Sequence, residues 1–141
     1  MNKLKISVLV LSVFFLFSCN DKTKTELTEG AETHQHSNYD DLQLNDGKKW
    51  KVDDNMMLII SKMEKEVAST PNENYQVLID NLGRNIDLLT SNCTMEGEAH
   101  DELHKWLLPF IEDVKVFSND KSADNFTKIK NAFITFNQYF E

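Results

Sequence analysis

The chain has 141 residues, of which 23 are acidic and 15 are lysine or arginine, so its formal net charge is −8 at pH 7. Because nucleic-acid phosphates require a positive surface, we expect no nucleic-acid partner for so acidic a chain. The four glycines are scattered instead of forming a phosphate-binding loop, and no Ser-His-Asp order is present. We therefore predict that the protein is not an enzyme.

The N-terminal segment has the organisation of an export signal. Lys3 and Lys5 precede an apolar run over residues 6–17, which is too short to span a membrane. The run leads into the sequence LFSC, which ends at Cys19 and resembles the lipobox of bacterial lipoproteins. The resemblance implies that residues 1–18 are a signal peptide and that Cys19 is acylated. The protein would then be anchored to a lipid bilayer in the bacterial cell envelope, facing the periplasm or the outside; an ordinary secretory peptide is the alternative.

Residues 19–44 are interpreted as the lipidated cysteine and a flexible tether, because this polar segment buries too little surface to offset the entropy of ordering. Cleavage would remove two lysines and no acidic residue, so the mature chain would have a net charge of about −10. No polybasic patch is present, and the acyl chains alone would hold the protein at the membrane. With Cys19 acylated, Cys93 would be the only thiol, so no internal disulfide could form.

Residues 45–141 form the predicted folded domain and contain four apolar patterns with helical spacing. The first pattern predicts a helix over residues 53–69. The second begins at TPNE, residues 70–73, which has the form of a capping box with proline at the first helical position. We expect this second helix to end between residues 90 and 94. Gly83 weakens its middle by roughly 1 kcal/mol relative to alanine.

The third and fourth patterns complete an all-α fold. The third helix should begin at Gly97 or Glu98, and Pro109 should either kink or break it. Residues 118–124 form a turn, after which the fourth helix continues to the C terminus. Four helices joined by short turns predict an up-down-up-down four-helix bundle. A three-helix core with the first segment loosely attached is the alternative.

Side chains that bind transition metals should meet at one pole of this bundle, where helix 1 begins, helix 2 ends and helix 3 begins. The stretch SNCTMEGEAHDELHKW crosses that pole and contains Cys93, Met95, His100 and His104. Cys93 and the two histidines lie on or beside the inward stripes of their helices. Met56, in the first turn of helix 1, should enter from the opposite side. Thiolate, imidazole and thioether together suit copper, with zinc as the second choice.

A second candidate lies in the tether, where His34 and His36 could form a metal-capturing arm or simply be solvated linker. At the pole, the alternative to a metal site is a polar bundle end in which the histidines bond to Glu96, Glu98 or Asp101. Two functions follow. One is a membrane-anchored lipoprotein that buffers, carries or senses a metal, and the other is a structural or protein-interaction module without metal.

Two resemblances bear on these hypotheses. The stretches LNDGKKWKVD and CTMEGEAHDELHKWLLPF resemble small lipoproteins of Bacteroidetes that contain a Cys-x-Met…His…His-x-Trp stretch. This resemblance implies an exported helical bundle and little about activity. The layout is also similar to the periplasmic b-type four-helix cytochromes, which hold haem between a methionine early in helix 1 and a histidine late in helix 4. Met56 or Met57 matches the methionine, but the last helix has no histidine, so haem would need His100 or His104 and is a minor alternative.

Overall fold

The computed structural model describes residues 39–71 and 75–141, and the predictions about the signal peptide, Cys19, His34 and His36 lie outside these residues. The helices span Asp54–Ser69 (α1), Tyr75–Ser91 (α2), Glu98–Asn119 (α3) and Ala123–Tyr139 (α4). They pack in the cyclic order α1, α2, α3, α4 and back to α1. The predicted all-α four-helix bundle is therefore confirmed. None of the described helices is long and apolar enough to cross a membrane.

Contacts between helix ends identify the first pole of the bundle. Thr94, just after α2, donates its hydroxyl to the Asp53 carboxylate at the start of α1, at 2.9 Å. The Trp50 backbone N–H, just before α1, donates to the carbonyl of Tyr139 at the end of α4, at 2.8 Å. The start of α1 therefore lies beside the ends of α2 and α4.

Aromatic contacts identify the opposite pole. Tyr75 at the start of α2 meets Phe117 near the end of α3 and Phe126 near the start of α4, with ring centroids 5.0 and 4.9 Å apart. Together the two poles show that the chain runs up, down, up and down. The stretch that contains Cys93 and His100 consequently lies at the pole where α1 begins, as predicted.

The helix boundaries agree with the sequence pattern to within a few residues, although α3 ends at Asn119 and α4 begins at Ala123, both inside the predicted turn over residues 118–124. The Thr70 hydroxyl donates to the Glu66 carbonyl at 2.6 Å, so this side chain closes the last turn of α1. Residues 72–74 lie outside the described part of the chain, and the description of α2 begins at Tyr75. Its end at Ser91 falls within the predicted interval.

Pro109 lies inside α3, which is 22 residues long and continues through the proline, so of the two alternatives, a kink or a break, the break is excluded. Proline removes one helical hydrogen bond and costs on the order of 3 kcal/mol in a helix interior. Trp106 and Phe110 flank this position, are both fully buried, and stack with ring centroids 4.9 Å apart. Because burial of each such ring contributes roughly 2 to 3 kcal/mol, the core holds the helix together across the proline.

Trp106 lies at the centre of an aromatic core. Its indole N–H donates to the Ala132 carbonyl of α4 at 2.8 Å, and its ring lies 4.9 Å from that of Phe136 and 5.9 Å from that of Phe133. The hydrogen bond removes the polar cost of burying an indole. The phenylalanines of α4 thus face the interior of the bundle.

The folded domain begins earlier than the sequence pattern indicated, because residues 39–44, assigned to the tether, pack on the bundle. Leu42 is only 5% exposed and belongs to the hydrophobic core. The Trp50 indole N–H donates to the Gln43 carbonyl at 2.7 Å and closes this segment on itself. We refer to residues 39–52 as the strap.

Two buried acids of α3 hold the strap. The Tyr39 hydroxyl donates to Asp113 Oδ2 at 2.9 Å, and the Gln43 backbone N–H donates to Glu102 Oε1. Lys105 bridges the two elements, since its ammonium donates to Glu102 Oε2 at 2.7 Å and to the Asp41 carbonyl of the strap at 3.4 Å. Long-range hydrogen bonds therefore order a segment whose own composition is polar.

Candidate functional site

An open cavity of about 440 Å³ lies at the pole where α1 begins, between α1, α2 and α3. Much of its wall is aliphatic and is formed by Leu89, Leu103, Leu107 and Leu108. Its polar and sulfur-bearing lining comes from Met56, Thr90, Cys93, His100 and His104. Four of the predicted metal ligands therefore line a single cavity.

His100 and His104 are adjacent on one face of α3. Their ring centroids are 4.2 Å apart, and the ring planes make an angle of 60°. Spacing of one helical turn places two side chains on the same face, so two imidazoles can approach one ion without backbone movement.

The two histidines differ in burial, and the prediction that both face inward holds better for His100. His100 is half-buried, whereas His104 is exposed and lies at the mouth of the cavity. The inward stripe of α3 is instead centred on Leu103, Trp106 and Leu107, which are at most 4% exposed. His104 follows Leu103 by one residue, so helical rotation carries it about 100° away from that residue.

Gly97 sets the direction of the turn that carries His100. It is the N-cap residue of α3 and has φ +71° and ψ −159°, a backbone conformation essentially restricted to glycine. The backbone N–H groups of His100 and Asp101 both donate to the Gly97 carbonyl, at 3.0 and 3.1 Å. These two hydrogen bonds hold the first turn of α3, which contains His100, in place.

Two sulfur atoms complete the lining of the cavity. Cys93 is a free, half-buried thiol that lies two residues beyond the end of α2, so it does not continue the helical stripe of Leu89 as the sequence pattern predicted. Met56 enters from α1 and is only 1% exposed. Met95, the other methionine proposed as a ligand, is 8% exposed and belongs to the hydrophobic core, outside the lining of this cavity.

The side chains that line the cavity are not gathered into a closed cage. Within residues 39–71 and 75–141, no three histidine, cysteine, aspartate or glutamate side chains are close enough together to hold one metal ion. The alternative hydrogen-bonded arrangement placed the histidines against Glu96, Glu98 or Asp101, and none of these three acids lines the cavity. What the structure brings together is a histidine pair beside one thiol and one thioether.

A second polar arrangement, which the sequence patterns did not predict, lies on the strap side of α3. Glu102 and Asp113 are each 5% exposed, although they are charged residues. Burial, together with the charge and hydrogen bond of Asp113, raises the pKa of the Tyr39 phenol well above its usual range. One signal could have found these acids: they are eleven residues apart, about three helical turns, and so share one face of α3.

No protein family, curated protein or solved structure matches the chain. The resemblances to lipobox-containing lipoproteins, to small Bacteroidetes lipoproteins and to b-type cytochromes stay predictions.

Proposed function

We propose that the chain is an exported lipoprotein, anchored through acylated Cys19, that binds copper in the cavity at one pole of its bundle. The observation that carries the proposal is the adjacency of His100 and His104 in a cavity also lined by Cys93 and Met56. Imidazole, thiolate and thioether are all ligands that copper accepts. Buffering, carriage or sensing of the ion outside the inner membrane would be the role of such a site.

Binding requires the donors to close on the ion, because no three of them are already gathered in the described part of the chain. His104 is exposed and Cys93 is half-buried. Exposed side chains change rotamer in picoseconds to nanoseconds, so His104 can turn toward an ion held by His100 and Cys93. The backbone of α3 need not move in this closure.

The tether would act as a collecting arm. His34 and His36 are two further imidazoles on the segment that precedes the strap. A pair of solvated histidines would capture an ion weakly and release it to the tighter site. Zinc would be the second ion to test, since it accepts cysteine and histidine but gains little from methionine.

A protein-interaction module without metal is the second candidate function. Leu108 lines the cavity and is 62% exposed, so a partner protein that covered it would bury apolar surface. Such a module would not need the histidine pair for its binding energy. The same set of variants therefore separates the two candidates.

The test is a metal titration of the full chain in detergent, with Cu(I) and Zn(II) added under reducing conditions and Cu(II) added in a separate titration without reductant, which would otherwise reduce it to Cu(I). The informative variant carries His100→Ala and His104→Ala, and the matched control carries His34→Ala and His36→Ala. The proposal expects one high-affinity copper per chain, lost in the first variant and retained in the second. It also expects thermal stabilisation by copper, about 2.7 kcal/mol at a hundred times the Kd. Wild-type binding no tighter than that of the His100/His104 variant would refute the metal proposal.

A further inference from the structure

The cavity also indicates which charge its ion should carry. Neither aspartate nor glutamate is among the described residues that line it, and its single group able to become an anion is the Cys93 thiol. A monovalent ion bound to that thiolate gives a neutral pair. A divalent ion would leave one positive charge without a compensating partner in the lining.

An uncompensated charge is unfavourable at this place. Four of the lining residues are leucines, and the Met56 side chain at the cavity is only 1% exposed. This aliphatic inner wall has a lower dielectric constant than water, which disfavours an unpaired charge, while the mouth of the cavity at His104 is open to solvent. The aliphatic wall therefore favours the ion whose complex is neutral.

The donor set supports the same choice. Zinc is bound by cysteine, histidine and carboxylate ligands, and methionine is not among its usual ligands. The cavity offers two sulfur and two imidazole donors, of which the thioether of Met56 is neutral and soft. Soft thiolate and thioether ligands favour Cu(I), whereas a thioether adds little to zinc binding.

We infer that this cavity selects a monovalent thiophilic ion, Cu(I), over the divalent ion Zn(II), with Ag(I) as a monovalent probe of fixed oxidation state. The inference rests on the proposed function, because it concerns the same cavity and the same histidine pair. Selection would come from two features together, the thioether of Met56 and the single anion at Cys93.

The test compares Cu(I), Ag(I) and Zn(II) affinities of the full chain in detergent, measured by competition with chelators of known affinity. We expect Cu(I) and Ag(I) to bind about a hundredfold more tightly than Zn(II). Cys93→Ser and Met56→Leu should each weaken Ag(I) binding by about tenfold or more. Met63→Leu is the matched control, because Met63 is a fully buried methionine of α1 that does not line the cavity.

The outcomes separate the inference from the proposal beneath it. Zn(II) binding as tight as Ag(I) binding, with both lost in the His100/His104 variant, would overturn monovalent selection and leave the metal site standing. Failure of all three ions to bind would overturn both. Binding lost only in the His34/His36 variant would also overturn both, because the site would then lie in the tether. If Met56→Leu unfolds the chain by circular dichroism, Cys93→Ser, at a half-buried position, decides the question.

Discussion

The Tyr39 hydroxyl donates a 2.9 Å hydrogen bond to Asp113 Oδ2, joining residues 74 positions apart in sequence. Asp113 is 5% exposed, and the Tyr39 phenol contacts its carboxylate through this hydrogen bond. The bond ties the first described residue of the strap to the middle of α3, the helix that also carries the histidine pair. The segment that leads to the predicted membrane anchor is therefore attached to the same helix as the candidate site.

Removal of this hydrogen bond should lower stability measurably. Tyr39→Phe keeps the ring and deletes the donor to a buried carboxylate, and bonds to charged groups are worth about 1.5 to 3 kcal/mol. We expect the free energy of unfolding, from urea titration, to fall by about that amount. Tyr139→Phe, at a half-buried tyrosine of α4, is the control. Equal losses in the two variants would show that the phenol–carboxylate bond contributes nothing specific.

The Tyr39 phenol should also make stability depend on alkaline pH. Its pKa is raised in the folded state, so the folded chain holds this proton more tightly than the unfolded chain, whose phenol ionises near pH 10. The contribution is complete below about pH 10 and is lost as the pH rises above that value, by up to about 1.4 kcal/mol per pH unit.

The measurement is urea unfolding of the wild type and of Tyr39→Phe from neutral pH to above pH 10. Lysine ionisation and the other tyrosines affect both proteins, so the difference between the two curves isolates Tyr39. We expect that difference to shrink as pH rises. A difference that stays constant across the range would contradict the proton linkage.

Glu102 should contribute strongly to keeping the strap ordered. Its carboxylate accepts from the Gln43 backbone N–H and from Lys105 at 2.7 Å, and its side chain is 7% exposed. Glu102→Ala should therefore increase hydrogen exchange at the Gln43 amide by about tenfold or more, since loss of a buried acceptor costs about 1 to 3 kcal/mol.

A second glutamate–lysine pair on α3 supplies the control for that experiment. Glu112 and Lys115 have the same i, i+3 spacing at 3.3 Å, but their side chains are 36% and 65% exposed. Exposed pairs contribute about 0 to 1 kcal/mol, so Glu112→Ala should leave exchange at Gln43 unchanged. If both variants accelerated exchange at Gln43 equally, Glu102 would contribute no more to the order of the strap than Glu112 does.

The helices could be predicted from the sequence because buried positions recur with the helical period. In α1 the fully or nearly fully buried side chains are Met56, Ile60, Met63 and Val67, spaced by three and four residues as the pattern requires. Local periodicity of this kind is independent of which helix lies opposite. It therefore predicted the four helices, while the short turns between them predicted the up-down-up-down order.

The packing of the strap on the bundle and the direction of the His104 side chain could not be predicted from local periodicity. The strap is ordered by Glu102 and Asp113, which are more than fifty residues away in sequence, and no local pattern encodes such pairings. His104 has the spacing of an inward residue relative to Leu107, but lies one residue beyond Leu103, the true centre of the stripe. A shift of one residue rotates the side chain by about 100° around the helix, which is enough to move it from the core to the cavity mouth.

Gly83 in the interior of α2 and Gly97 at the start of α3 should respond to alanine in opposite directions. Gly83 lies in the interior of α2, where an added Cβ meets no atom within 4 Å, so Gly83→Ala should stabilise the chain by roughly 0.5 to 1 kcal/mol. Gly97 has φ +71°, which strains any other residue, so Gly97→Ala should destabilise the chain by about 1 to 3 kcal/mol. Urea unfolding of both variants measures the two free energies.

Because Gly97 fixes the turn that positions His100, Gly97→Ala should also weaken copper binding, while Gly83→Ala should not. Copper affinity that is unchanged in Gly97→Ala would show that the histidine pair does not depend on this cap.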